Sequence, residues 1–423
     1  MGTSPLPSGS LAGIKVLDLS RWIAGPFCTM LMADAGAEVI KVEGLTGEDA
    51  RHSIPKLNGT SAYVHHYNRN KRGLAVDLRS AEGQAIVQSL ATGWADVVVE
   101  NFRPGILEKI GLGYHDLSRR NPRLVMTSVS GFGSTGPESQ RPGFNATAEA
   151  FSGAMSLTGD TDSPPTMSGF FAADHSTGLY AAFGTMLALT ERERTGRGQL
   201  VEIALTDAIF SLLGFTLTAR LNDLEIPPRT GNRDNATAPA DLFRSAEGRP
   251  VYIDAGTDAL FRQLCNAMQR PEMADDPLFA TNEGRLQHWE RLHEGISHWT
   301  QGTPWVELRR VLDEAAIPFS PVNSIDEAIG EPQFSHQGMV ASVPTNDGVQ
   351  IRVPGMVVKL SESPGSIRTA APEIGQHSAE ILRDICGMTA EQIRALERDR
   401  VVLTAPGPSP LTDHDEGNHP QPQ

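Results

Sequence analysis

One carboxylate stands out for the chemistry it could do. Asp174 lies in Phe171-Ala172-Ala173-Asp174-His175-Ser176-Thr177-Gly178, directly ahead of a strongly apolar stretch. In the plainest reading it is a helix N-cap, accepting helix-end amides and favoured by the helix dipole. In the other it is a nucleophile, since a carboxylate at a helix N-terminus stays ionised and needs no base to attack. The residue pattern alone weighs towards the cap, but the two roles are compatible. His175 beside it reads as a surface or capping residue.

Basic residues gather at Asn68-Arg69-Asn70-Lys71-Arg72, and again at Arg103, Lys109 and Arg141. Singly, each reads as ordinary solvated charge. Their places beside strand ends, where α/β folds bind ligands, change that balance. Several such donors together are what a phosphorylated carrier, a nucleotide or coenzyme A, requires. Gly131-Phe132-Gly133-Ser134-Thr135-Gly136 spells GxGxxG after an expected strand. A dinucleotide site needs such glycines to open a helix whose amides hold the pyrophosphate. Here Pro137-Glu138-Ser139-Gln140-Arg141-Pro142 follows, so the segment reads as a glycine-rich active-site loop.

Other chemistries find less support. His65 and His66 are adjacent, and His288, His293 and His298 are five apart, a spacing that drifts around a helix. With HExxH and GxSxG absent, neither zinc chemistry nor a serine hydrolase is indicated. Cys28, Cys265 and Cys386 are far apart and form no CxxC pair, which suits a reducing cytosol.

These residues must be positioned by regular elements. The first half alternates short apolar runs with helical stretches. Strands are expected at Ile14–Leu19, Glu38–Val42, Asp96–Glu100, Leu124–Val129 and Leu200–Ala204. Helices are expected up to about Ala35 after a turn at Ala24-Gly25-Pro26, then at Ala81–Ala91, Gly105–Ile110, Thr177–Thr190 and Thr206–Leu217. Strands separated in this way imply a parallel sheet covered on both faces. A linker at Asn222–Ala240 leads to a strand at Pro250–Ala255 and helices at Leu260–Met268, Gly284–Trp299 and Thr303–Ala316. Extended chain follows at Ile317–Val322, then helices near Ser378–Ile385 and Thr389–Leu396.

The chain has 423 residues, and 36 Lys and Arg against 51 Asp and Glu leave a formal charge of −15. That length suggests two or three domains. An acidic chain is a poor fit to nucleic acid, whose affinity rests on cations neutralising phosphates. The N-terminus lacks a basic and an apolar region, so no signal peptide is expected, and Leu6 breaks the myristoylation pattern. No apolar stretch reaches a clean span of about 20 residues. The expectation is a soluble cytoplasmic protein with no membrane association.

A longer series of segments carries a family resemblance. In order they are Leu11-Ala-Gly-Ile-Lys-Val-Leu-Asp18, Ala24-Gly-Pro26, Ala35-Gly-Ala-Glu-Val-Ile-Lys-Val-Glu43, Asn70-Lys-Arg72 and Val99-Glu-Asn-Phe102. Ser130-Gly-Phe-Gly-Ser-Thr-Gly-Pro137, the Asp174 segment, Thr195-Gly-Arg-Gly198 and Ile374-Gly-Gln-His377 continue it. From about Leu11 to Val402 the chain resembles the family III CoA-transferases, which include formyl-CoA transferase and carnitine CoA-transferase.

The resemblance implies transfer of CoA from an acyl-CoA donor to a free carboxylic acid. Asp174 would be the catalytic aspartate, carrying an acyl–aspartyl anhydride and then an aspartyl-CoA thioester. It makes Asn101, Arg72, Lys109 and Arg141 candidates for holding CoA, which is a substrate; no permanently bound cofactor is implied. Amides of a helix start or of the glycine-rich loop could hold the tetrahedral oxyanions. The implied fold is α/β, a Rossmann-like large domain with a smaller mixed α/β domain, in an interlocked homodimer. Residues 11–224 and 326–404 would form the large domain and 225–325 the small one, with disordered tails at 1–10 and 405–423.

Two departures narrow the resemblance. Related 2-methylacyl-CoA racemases carry Gly-His-Asp where this chain has Gly143-Phe144-Asn145, so their histidine base is absent. Formyl-CoA transferase has Gln where this chain has Ile23, and its tetraglycine loop is missing here. The alternatives are therefore a racemase, distinguished by α-proton exchange, and a catalytically silent CoA-binding paralogue.

Overall fold

The protein is seen in a computed structural model that describes residues 9–57, 59–226, 229–345 and 347–404. Most of both expected tails lies outside the described residues. The chain divides into two compact units, and Glu149–Phe170 and Phe210–Gln337 form the second. The expected small domain, 225–325, lacked both flanks and the separate 149–170 excursion.

The first unit is built on a seven-stranded sheet. Its strands are β1 Lys15–Asp18, β2 Glu38–Glu43, β3 Lys71–Val76, β4 Val97–Glu100, β5 Val125–Ser130, β6 Leu200–Ala204 and β7 Val402–Leu403. They run in the order β7-β3-β2-β1-β4-β5-β6. All neighbours are parallel except β7, which closes the edge antiparallel to β3. The helices used below are α1 Ala24–Asp34, α2 Ala62–Tyr67, α3 Ala81–Gly93, α4 Ile106–Lys109, α5 Tyr114–Arg120 and α6 Ala172–Thr195. Leu17, Ile40, Leu74, Val98 and Met126, one from each of five strands, share a buried cluster with Leu90 of α3 and Leu117 of α5. This is the parallel-rich α/β sheet that the alternation predicted and that the resemblance implied as a Rossmann-like domain. The strand order reverses on either side of β1, and open α/β sheets bind ligands outside the strand ends at such a point.

Three differences from the sequence reading have physical causes. Ala24-Gly25-Pro26 is the first turn of α1 rather than a turn before it, because Pro is tolerated where helical N–H groups lack partners anyway. Helix α6 begins at Ala172, five residues before the expected Thr177, so Asp174 sits inside its first turn rather than ahead of it. Strand β3 falls in the cluster read as basic surface: Lys71 is buried, and the strand is hidden along nearly its whole length.

The second unit has a three-stranded antiparallel sheet of Ala240–Arg244, Pro250–Asp254 and Phe319–Pro321. Helices Asp258–Ala267, Trp289–Gln301 and Trp305–Glu314 contribute Leu264, Leu292 and Leu308 to its core. The helix expected over Gly284–Trp299 is broken at His288, and the one over Thr206–Leu217 is broken near Leu212. No helix among the described residues is long and apolar enough to cross a membrane.

Charge is buried around the carboxyl end of β1. Lys71 Nζ donates to Asp18 Oδ2 at 2.9 Å, to Asn68 Oδ1 at 2.9 Å and to the Pro26 carbonyl at 3.1 Å. Lys41 Nζ donates to the Ser20 carbonyl and lies 3.2 Å from Glu48 Oε1. Asp18, Lys41 and Lys71 are each wholly or almost wholly buried. Burial alone would raise the Asp18 pKa, but Lys41, Lys71 and hydrogen bonds from Lys71 and Ser20 hold it below the usual carboxylate range. Its contribution to stability is therefore complete above the unfolded value near 4 and lost as pH falls towards the lower folded value. Asp18→Asn leaves two buried ammonium groups short of a counter-charge. It should cost about 3–5 kcal/mol in urea unfolding at pH 7, and the difference from the parent should shrink below about pH 4.

Candidate active site

Helix α6 presents Asp174 in its first turn, partly buried, without help from its own N-cap. Phe171 occupies the cap position and has no side-chain oxygen to offer. Instead Asn145, 4% exposed, reaches in from an earlier segment. Its Oδ1 accepts from the Ala173 amide at 2.9 Å and from the Asp174 amide at 3.3 Å. The His175 amide donates to the Phe171 carbonyl at 3.0 Å. Three amides at the helix start are thus already engaged. The expectation that this helix start supplies oxyanion donors fails for these groups.

Side chains from α1 and α2 close around the same turn. His175 Nδ1 lies 2.8 Å from the Phe171 carbonyl and Nε2 lies 2.9 Å from the Tyr67 hydroxyl. A carbonyl only accepts, so Nδ1 carries the hydrogen and Nε2 accepts from Tyr67. Burial lowers the His175 pKa, only partly offset by its Phe171 bond, and favours the neutral ring. Burial, then Asp174 and Tyr63, raise the Tyr67 phenol. His66 is pushed down to about 4 by burial and by Arg69 and His175. Phe27 of α1 meets His175 edge-on at 5.0 Å. Gly178 permits this approach, since a Cβ there would lie 2.7 Å from the Ala24 carbonyl oxygen.

Two clefts open at the carboxyl ends of the strands. One, of about 280 Å³, lies beyond β1, β4 and β5 and is lined by Arg21, Trp22, Asn101, Arg103, Arg141 and Phe144 among others. The other, of about 600 Å³, lies beyond β1, β2, β3 and β4. Arg21 and Phe102 belong to both, and the Arg21 guanidinium sits 4.7 Å from the Phe102 ring centre. The smaller cleft runs up to Phe144, next to the Asn145 that braces Asp174.

The predicted CoA-binding residues are not all brought together. Asn101 and Arg141 share the smaller cleft. Asn101, however, is occupied: its Oδ1 accepts from the Arg21 amide at 2.8 Å and its Nδ2 donates to the Arg21 carbonyl at 2.7 Å. Arg141 lies over the Phe132 ring at 5.2 Å and pairs with Glu138 at 3.4 Å. Lys109 is exposed on α4 and is not among the residues lining either cleft. Arg72 lies in another place, a groove with Lys15 and Trp94, where it pairs with Glu38 at 2.6 Å and Glu380 at 2.9 Å.

Sequence reasoning missed Arg21, Trp22, Tyr67 and the role of Asn145. Trp22 has a left-handed backbone, φ 66°, and its amide donates to Glu48 Oε2 at 2.9 Å. No local pattern marks such a residue. The glycine-rich segment is a loop, as expected: Gly133 and Gly136 have φ of 90° and 93°. A Cβ on Gly131 would lie 2.8 Å from the Gly143 Cα, so two backbone segments touch at the cleft wall.

The model of CoA-transferase family III matches residues 11–378. The chain belongs to CoA-transferase family III. It is an enzyme of that class, moving CoA between an acyl-CoA and a carboxylate. It is 36% identical to succinyl-CoA–D-citramalate CoA-transferase of Chloroflexus aurantiacus, over 95% of this chain and 100% of that one. It is 38% identical to the beta subunit of succinyl-CoA–L-malate CoA-transferase from the same organism, over 95% and 99%. Among solved structures, a CAIB/BAIF family protein of Brucella suis is 33% identical, with a TM-score of 0.80 over 89% of this chain and 99% of that one.

Asn101 lines the smaller cleft and holds the Arg21 backbone through both of its side-chain amide atoms. Asn101→Ala removes two hydrogen bonds to the Arg21 backbone, each worth about 0.5–1.5 kcal/mol. Steady-state kinetics should show KM for the CoA thioester raised by about tenfold, with a smaller change in kcat.

Proposed function

We propose that this CoA-transferase works through covalent catalysis by Asp174. The observation that carries the reading is a carboxylate in a helix's first turn whose amide is held by Asn145, the neighbour of a residue, Phe144, that lines a cleft at the sheet's topological switch point. An Asp174 oxygen attacks the thioester carbonyl, the C–S bond breaks, and CoA thiolate leaves a mixed anhydride. The thiolate then attacks the aspartyl carbonyl and expels the donor acid, leaving an aspartyl-CoA thioester. The acceptor carboxylate attacks that thioester, and the released thiolate takes the acceptor acyl group, freeing Asp174. Each intermediate conserves the thioester free energy, so water must be kept out while CoA stays bound. Since Asn145 engages the Ala173 and Asp174 amides, oxyanion donors must come from elsewhere, and the Gly131–Gly136 loop is the candidate.

We place the nucleotide end of CoA in the larger cleft and its thioester end in the smaller one, joined across Arg21 and Phe102. Arg21, which lines both clefts, and Arg79 of the larger one are the cations available there to phosphates, and binding at that remote end positions the thioester. Both named relatives take succinyl-CoA and a hydroxylated dicarboxylic acid, and we extend that substrate class to this chain. A homodimer is part of the reading. Leu179, Phe183 and Leu187, four residues apart on α6, are each more than half exposed, and a second copy would cover them. We place the enzyme in the cytoplasm, where its three free thiols are stable.

Incubation with succinyl-CoA, borohydride trapping and peptide mass spectrometry test the mechanism. The expected result is a CoA adduct, or its reduced alcohol, on the peptide holding Asp174. Asp174→Ala should lose the adduct and at least about 10³-fold in kcat. Deuterium uptake at the acyl α-carbon without an adduct would instead show a racemase.

A further inference from the structure

Glu100 is a buried acid that the transfer of CoA does not use. It ends β4, is 6% exposed, and directly precedes Asn101 and Phe102. Its Oε2 accepts from the Phe102 amide at 2.8 Å, and its Oε1 accepts from the Ser128 hydroxyl of β5. The turn held in this way borders both clefts, since Phe102 lines each of them. The Arg21 guanidinium lies over the Phe102 ring, and Asn101 holds the Arg21 backbone. One carboxyl therefore sets the turn against which Arg21 is placed.

The surroundings of that carboxyl differ from those of the other buried acids. Asp18, Asp34 and Glu43 are similarly hidden, and each meets a cation. Among the described residues Glu100 forms no ion pair, and Glu108 of α4 and Glu202 of β6 act on it with charge of its own sign. Glu100, Ser128 and Glu202 stand level on adjacent strands and so share one face of the sheet. Asp18 and Lys41 are level with Val99 and belong to the other face. Burial, opposed by the bonds from Ser128 and Phe102 and reinforced by Glu108 and Glu202, pushes the Glu100 pKa up to about 7. A turn opened to water would return the group towards the ordinary glutamate value. Closure is therefore most favoured in acid and loses that support as pH rises through the closed turn's value.

We propose that Glu100 is the positioning residue of the Asn101–Phe102 turn, and that its proton links CoA binding to pH. This rests on the placing of CoA in the two clefts.

The test is calorimetric titration of the full chain with free CoA from about pH 5.5 to about 8.5, where Glu100 changes charge. Glu100→Gln stays neutral, and its side-chain amide can still accept from the Phe102 amide and donate to Ser128. At the acid end it should bind CoA within about twofold of the parent. Towards the alkaline end the parent's Kd should rise about three- to tenfold relative to that of Glu100→Gln. The comparison cancels the terminal phosphate of CoA, which titrates near about 6 with either protein. Glu100→Ala leaves the Phe102 amide without its acceptor and should weaken binding about tenfold across the range. Parental affinity in Glu100→Ala, or a Glu100→Gln profile that coincides with the parent's, would overturn the assignment. If Glu100→Ala does not fold by circular dichroism, the Glu100→Gln profile decides alone. Parental CoA binding in Arg21→Ala would instead remove the placing of CoA on which this proposal rests.

Discussion

Everything at the ligand end of the sheet depends on the buried chain from Lys71 through Asp18 to Lys41 and Glu48. Asp18 and Lys41 lie side by side near the carboxyl ends of β1 and β2, and Lys71 reaches Asp18 from the first residue of β3. Taking such charges out of water costs several kcal/mol each unless every remaining lone pair and proton finds a partner. Here they do: Ser20 and Thr29 donate to Asp18, Asn68 bridges Lys71 and Glu48, and Arg51 holds Glu43 with two hydrogen bonds of 2.7 and 2.6 Å. The network's bonds to the Ser20 and Trp22 amides and to the Ser20 and Pro26 carbonyls tie down the path of the β1–α1 loop. The left-handed backbone at Trp22 persists because Glu48, itself locked in the network, takes its amide.

The site built on this base spends its polar side chains on backbone. Asn101 ties the β4 loop to Arg21, Asn145 ties the Phe144 segment to Asp174, and Glu48 ties the 48–52 turn to Trp22. Each crosses between segments that the fold brings together from separate places in the chain. The smaller cleft keeps a cationic and aromatic lining, with Arg21, Arg103, Arg141, Phe102 and Phe144, while the larger one also carries Glu43, Glu48, Asp49 and Asp77. That division suits a reaction in which a carboxylate, a thiolate and two carboxylic acids must stay aligned while water is excluded.

Much of the fold was legible because hydrophobic periodicity is a local signal. Strands β1, β2, β4, β5 and β6 fall within a residue or two of the apolar runs that predicted them. Strand β3 was not legible, since Lys71-Arg72 at its start looks like surface, and only burial against Asp18 makes Lys71 a core residue. The α6 start was misplaced for a related reason. Its cap comes from Asn145, outside the local window in which capping patterns are read.

For the site, sequence alone determined the kind of chemistry. The residue pattern weighed Asp174 towards a helix cap and left the carrier open between a nucleotide and CoA; its reading as nucleophile, and CoA as the carrier, came from the resemblance to the family III CoA-transferases. Tertiary structure decided which partners those residues find within the chain. Arg72 is drawn off by Glu38 and Glu380, Asn101 is committed to Arg21, and Arg21 and Asn145 emerge unannounced. The reason is physical: a residue's type fixes what bonds it can make, but only packing decides which partner within 3 Å takes them.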